Sequence, residues 1–179
     1  MIPRLSKIVL LAAVTFFFLL VFLNNGVLDY RGNYEFVRHV LSMDTTGDHG
    51  QLWRAIRPEG PDAANHWIYH AFYWTIITCE VSTGLLCGWG TWKLWRARHA
   101  SAEVFNAAKD VAICGLTLSL LQWFTISLTI GAEWFLMFLS REWDAQGSAF
   151  RMFGCLGIIL IYLNQENRDL PATPARSQA

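Results

Sequence analysis

Four apolar runs, separated by polar links of very unequal length, set the pattern of this chain. The first, Ile8 to Leu23, is interrupted only by Thr15. Val27 and Leu28 extend it beyond Asn24-Asn25-Gly26 toward the ~20 residues that a membrane crossing needs. The second, Trp67 to Trp92, carries one carboxylate, Glu80, in its middle. The third, Val111 to about Leu139, is interrupted by Gln122 and Glu133. The fourth, Phe150 to Leu163, is the shortest and has Arg151 near its start. A run that short fits a crossing if Arg151 snorkels to the surface or pairs inside the bundle. The expected fold is all-α: a four-helix transmembrane bundle with a partly helical extracytoplasmic loop between helices 1 and 2. The spans fall at about 8–28, 67–92, 111–139 and 149–163, with the external loop at 29–66. Residues 1–163 form one membrane domain, and the polar tail 164–179, with Pro171 and Pro174, is expected to be disordered and cytoplasmic.

The links refine this picture. Arg4 and Lys7 before an apolar run resemble a secretory signal, but no small-x-small cleavage site follows, so the run is expected to stay as the first transmembrane helix. In the long first loop, Phe36, Val37, Val40 and Leu41 recur at helical spacing, with Asn33 placed as a cap. This predicts a short amphipathic helix on the membrane or on the end of the bundle. Asp44-Thr45-Thr46-Gly47-Asp48 lacks the spacing and terminal Glu of a calcium loop and reads as a solvated turn. Ser101 is placed to cap a helix that runs into the third span.

Charge chooses the orientation. Arg4 and Lys7 precede the first span, and Lys93, Arg96, Arg98 and Lys109 fill the link between the second and third, whereas the third link has only Arg141. The positive-inside rule then puts both termini in the cytoplasm of a bacterial inner membrane and the long first loop outside. Trp89, Trp92 and Trp95 form an expected inner belt, and Trp67, Trp134 and Trp143 an outer one. Only 16% of residues are charged, and acids balance bases, so net charge implies no nucleic-acid partner. The four cysteines, Cys79, Cys87, Cys114 and Cys155, all lie in apolar runs without metal-knuckle spacing.

Candidate chemistry sits inside the spans. Counting inward from Lys93 and Asp110 puts Glu80 and Gln122 at nearly the same depth, so they are predicted to face each other as a buried polar pair. Gly84 and Gly88 form a G-x-x-x-G pair on the face of Glu80, and with Gly115 they mark helix-packing sites. An ion at the centre of a span costs about 3 kcal/mol on insertion scales. Glu80 is therefore either hydrogen-bonded glue between helices or a proton or cation site. Nearer the outer surface, His66, His70, Glu133 and Arg151 are predicted to form a second polar cluster. The spacing of His66 and His70 permits joint metal binding, but no third ligand accompanies them, and interfacial histidines are the expectation. Both lie on one helix, which argues against bis-histidine haem. No nucleophile-base order, phosphate loop or nucleotide fingerprint is present, so no catalytic residue, cofactor or metal is assigned.

The stretch Phe36 to Thr46, which contains Val-Leu-Ser-Met-Asp-Thr-Thr at 40–46, then Trp53-Arg54-Ala55-Ile56, then Glu80, resembles the bacterial small integral membrane proteins of unknown function. The likeness covers most of the chain, to about Leu163. It implies four spans in the inner membrane and brings no assigned activity. It draws attention to His39, Asp44, Trp53 and Arg54 in the external loop, which is expected to dock over the outer ends of the helices. Three functions remain: a non-enzymatic accessory or assembly subunit with a membrane-protein or homo-oligomeric partner; an oligomeric transporter or proton-coupled protein using Glu80 and the outer cluster; and, with less support, an enzyme acting on a lipid or quinone at the outer cluster, which requires a water-accessible pocket around His70 and Glu133.

Overall fold

The structure is a computed structural model, described here for residues 1–47 and 49–168. Most of the expected tail, from 169 onward, lies outside the described residues, as does Asp48. Helix α1, Ile2–Leu23, opens with a proline in its first turn, where the missing N–H costs nothing. It widens into a π-helical segment, Asn24–Leu28. Asp29 then ends that segment and caps α2, Tyr30–Ser42, by accepting from the Gly32 N–H at 3.2 Å. The cap expected at Asn33 is thus misplaced by one turn: Asn33 donates its amide to the Asp29 carbonyl at 2.8 Å. Met43, at φ 50, closes α2 in the left-handed region.

Helix α3, Trp67–Ala97, is the longest at 31 residues, about 46 Å at the usual rise. His66 caps it through Nδ1, which accepts from the Ile68 N–H at 3.4 Å. Ser101 caps α4, Ala102–Ala107, by accepting from the Val104 N–H at 3.5 Å. Helix α5, Asp110–Leu121, continues as a second π-helical segment, Gln122–Trp134. The third apolar run leaves the helix there rather than at Leu139. Leu136, at φ 54, turns the chain, and the 3₁₀ turn Met137–Leu139 tucks Met137 into the core. Helix α6, Gln146–Asn164, starts earlier than Phe150 and reaches 19 residues.

The chain is all-helical among the described residues, and α3 runs through the middle with α1 and α5 on its flanks. Helix α6 packs on α5 and the second π segment. Three segments are long and apolar enough to cross a membrane by length and composition: Ile2–Leu28, Ala102–Trp134 and Gln146–Asn164. Helix α3 has the length, but Thr75, Thr78, Glu80, Ser82 and Thr83 dilute its apolar run.

The α3–α5 seam explains how two such helices meet. Along α3, Glu80, Thr83, Cys87, Gly90, Leu94 and Ala97 are buried at alternating steps of three and four residues. Opposite them, in antiparallel order, come Gln122, Ser119, Gly115, Ala112, Ala108 and Phe105, all buried. This is the spacing of a coiled-coil seam. A Cβ added at Gly90 would lie 2.6 Å from the Ala112 Cβ, and one at Gly115 would lie 2.9 Å from the Leu86 Cβ. Gly84 and Gly88 serve the other flank, receiving Phe18 and Thr15 of α1. Gly90, the tightest of these contacts, stands outside the G-x-x-x-G pair.

Two apolar cores result. One, at the end where the termini gather, holds Leu11, Phe18, Cys87, Leu94, Phe105, Leu116 and Leu156. The other, at the loop end, joins Val37, Leu41 and Met43 of the first loop to Tyr73, Ile77, Phe135 and Met137.

Candidate functional site

Between the two cores lies a polar layer. Glu80 is 2% exposed and accepts from the Asn25 Nδ2 group at 3.1 Å on each carboxylate oxygen. Gln122, on the facing helix, is buried at the level of this carboxyl. One turn nearer the terminal end, Thr83 and Ser119 face each other across the same seam, both fully buried. Both amide side chains at this level lie in π-helical turns, Asn25 in the first segment and Gln122 at the first residue of the second. Such turns are rare and occur most often at functional sites. The loop-side wall is closed by Tyr73, whose hydroxyl donates to the Asn25 carbonyl at 2.7 Å. Among the described residues, Glu80 forms no ion pair with a Lys, Arg or His. Asn25 was not singled out from sequence, because Asn24-Asn25-Gly26 reads as a helix stop. The π turn instead carries the helix through it and points one asparagine inward.

The cluster expected from His66, His70, Glu133 and Arg151 is not assembled. His70 is held by the Tyr30 hydroxyl at 3.0 Å and the Asn65 side chain at 2.8 Å, and stacks on Tyr34 at 4.4 Å between centroids. His66 is occupied as the α3 cap. Glu133 is exposed, and Arg151, also exposed, donates to Ser148 at 2.9 Å. The cause lies in the helix type. An α-helical period carried past Gln122 would bring Glu133 to the α3 side, but each π turn takes about one residue more, so Glu133 rotates away from it.

The first loop lies across the ends of the helices. Arg54 donates to the carbonyls of Glu133 and Trp134 at 3.4 and 3.3 Å, and its guanidinium stacks on the rings of Trp53 and Trp134. Arg57 donates to the carbonyls of Ser42 and Met43 at 2.8 and 3.3 Å. Tyr34 and Tyr69 donate to the loop carbonyls of Ala64 and Ile56 at 3.0 and 2.7 Å. His39 bonds the Asp44 carboxylate at 2.8 Å and stacks on Trp143 at 4.6 Å. Beside it, Arg38 pairs with Glu35 at 2.6 Å. Burial alone would lower the Arg38 guanidinium, but Glu35 and Asp44 carry it above its ordinary value. Burial pushes the Tyr34 phenol up, so that hydroxyl stays a donor.

Residues 3–166 match the model of a protein family described as predicted small integral membrane protein (DUF2165). The chain belongs to this family. Membership in DUF2165 fixes it as an integral membrane protein, and the family's function is unknown. No curated protein and no solved structure matches the chain.

One further set of side chains in this DUF2165 chain was read only as positive-inside charge. Arg4, Lys7 and Lys109 are 1%, 3% and 3% exposed. Arg4 donates to the carbonyls of Arg98, Ala100 and Arg168 at 3.2, 2.6 and 3.2 Å, and lies over the Phe105 ring. Lys7 donates to the carbonyls of Leu163 and Gln165 and to Asn167 Oδ1 at 2.9 Å, and Lys109 donates to the Gln165 carbonyl at 2.7 Å. Of these, the Arg98, Leu163 and Gln165 carbonyls lie at the open ends of α3 and α6, where partial negative charge collects. No sequence motif announces such capping, because the donors lie far along the chain from the ends they serve.

Proposed function

We propose that this protein is a non-enzymatic accessory, assembly or interaction subunit of the bacterial inner membrane. In this reading α3 crosses as a fourth span, sheltered by α1 and α5, which answers its diluted hydropathy. Both termini are cytoplasmic and the docked loop faces outside, following the Lys93, Arg96 and Arg98 cluster. The supporting observation is the docked loop. Arg54 and Tyr69 fasten it to the second π segment and to α3, and Arg57 and Tyr34 hold it to itself, while Trp53 and Trp67 remain 70% and 69% exposed. Rigid, exposed aromatics beside a membrane surface suit a partner's interface. Chemical cross-linking in native membranes, followed by native mass spectrometry after mild extraction, tests this. A recurrent partner or a defined homo-oligomer is expected, lost in Trp53→Ala. A strictly solitary monomer refutes the reading.

A second reading is favoured by the Glu80 layer. A carboxylate buried at mid-bundle without an ion-pair partner is a default site for proton or cation coupling. Oligomeric transport through it predicts that Glu80→Gln, which keeps size and hydrogen bonding, abolishes ion flux in proteoliposomes. Unchanged flux rejects it. His70, Glu133 and Arg151 drop out of this reading as a joint site, since each has a separate partner or faces outward.

A further inference from the structure

Four threonines inside the helices satisfy their hydroxyls in one way. Thr15, Thr75, Thr78 and Thr91 each donate to the carbonyl four residues back, at 3.0, 2.8, 2.7 and 2.8 Å. This is the ordinary way to satisfy such a group within a helix. Thr83 and Ser119 do not do so. Among the described residues, Thr83 Oγ1, Ser119 Oγ and Gln122 Oε1 are buried without a hydrogen-bond partner. Left that way, each costs about 1–3 kcal/mol. All three lie on the seam that carries Glu80, at two adjacent levels, and apolar cores close the layer above and below.

The chemistry of this donor set is one-sided. It offers one carboxylate with lone pairs beyond the two that Asn25 uses, one amide oxygen that only accepts, and two hydroxyl oxygens free to accept. Hard cations are held by oxygens of this kind. A proton on the carboxyl, or a hydroxyl turned toward the Gln122 oxygen, would join these oxygens only two at a time. A small metal ion of single charge would use several together and balance the one carboxylate charge.

We propose that Glu80, Gln122, Thr83 and Ser119 form an intramembrane binding site for a sodium ion. The proposal rests on the second reading above, that Glu80 is a cation-coupling group, and assigns its ligand. Glu80 supplies the charge. Gln122 Oε1 and the two hydroxyls supply neutral oxygens. Asn25 holds the carboxylate in place from the loop side. The first π turn sets Asn25 facing inward, and the α3–α5 seam brings Gln122 to the depth of Glu80.

The test is protection of Glu80 from a membrane-soluble carbodiimide. That reagent adds to a protonated carboxyl to give an N-acylurea, and a metal ion bound at the carboxyl blocks it. The full-length protein in liposomes is treated in sodium chloride or in choline chloride at equal ionic strength, and the Glu80 peptide is quantified by mass spectrometry. Labelling is expected in choline and absent in Glu80→Gln. In sodium it is expected to fall about tenfold when sodium is at about ten times its Kd, by mass action. Thr83→Val with Ser119→Ala should keep the labelling and lose the sodium protection. Equal labelling of the unaltered protein in the two salts overturns the sodium site while leaving a proton-binding Glu80 standing. No labelling in either salt overturns both the site and the coupling reading. Protection that persists in the double variant removes Thr83 and Ser119 as ligands and refutes the site as drawn.

Discussion

The α3–α5 seam makes a graded prediction from four glycines treated alike. A methyl group placed on Gly90 meets the Ala112 Cβ at 2.6 Å and the Ala112 Cα and N at 2.9 Å. Carbon atoms rest at about 3.5–4.0 Å, so the helices must separate by nearly 1 Å or the backbone must shift. Overpacking of this kind costs about 1–3 kcal/mol. Replacing glycine by alanine inside a helix returns roughly 0.5–1 kcal/mol. Gly90→Ala should therefore destabilise by about 1–2 kcal/mol net. Gly115→Ala meets Leu86 Cβ at 2.9 Å and Cys87 Sγ at 3.0 Å, side-chain atoms with some room to move, and should cost less. Gly84→Ala, 3.3 Å from Phe18 Cβ, should be near neutral. Gly154→Ala meets nothing within 4 Å and should stabilise. Ala112→Gly should rescue Gly90→Ala only in part, since the Ala112 backbone atoms at 2.9 Å remain. The assay is equilibrium unfolding in mixed micelles followed by tryptophan fluorescence, with the double variant closing the cycle. Equal stability of Gly90→Ala and Gly154→Ala would refute the packing of α3 against α5.

Arg4→Met keeps an aliphatic stem but removes three charge-assisted bonds to carbonyls, and should cost at least about 2 kcal/mol in the same unfolding assay. Arg4→Lys should not restore it, since one ammonium lacks the fork that reaches three acceptors. Arg54→Ala frees the π-helix end and should raise amide exchange across residues 49–65 while leaving α5 and α6 protected, measured by hydrogen exchange with mass spectrometry. Glu59→Cys should react with an impermeant maleimide on intact cells, and His99→Cys only after permeabilisation; the opposite pattern inverts the proposed orientation.

The depth comparison that set Glu80 level with Gln122 needed only residue counts along two helices, and the seam preserves those counts up to Gln122. Beyond Gln122 the helix widens, and a count at the α-helical period no longer places Glu133. The loop showed its amphipathic helix because Phe36, Val37, Val40 and Leu41 repeat at the period of the face they bury. Its anchoring did not show, because Arg54 and Arg57 act on carbonyls, and a carbonyl has no letter in the sequence. The same blindness hid Arg4, Lys7 and Lys109, which look like solvated cations before spans and are in fact nearly inaccessible.

That blindness also exposes a division of labour among the charges. Arg57 serves the end of α2, Arg4 the end of α3, Arg54 the end of the second π segment, and Lys7 with Lys109 the end of α6. A cation at a helix C-terminus satisfies carbonyls that lipid could not and opposes the dipole at its negative pole. The end of α1 is handled differently. There the donor to the Asn25 carbonyl is the neutral Tyr73 hydroxyl, and the donor to Glu80 is the neutral Asn25 amide. A lysine or arginine at that level would have capped the π turn and paired with Glu80 at once. The neutral choice keeps the carboxylate's charge unspent among the described residues. In the proposed reading, where Glu80 exchanges a cation with solution, that leaves its oxygens available to the ion.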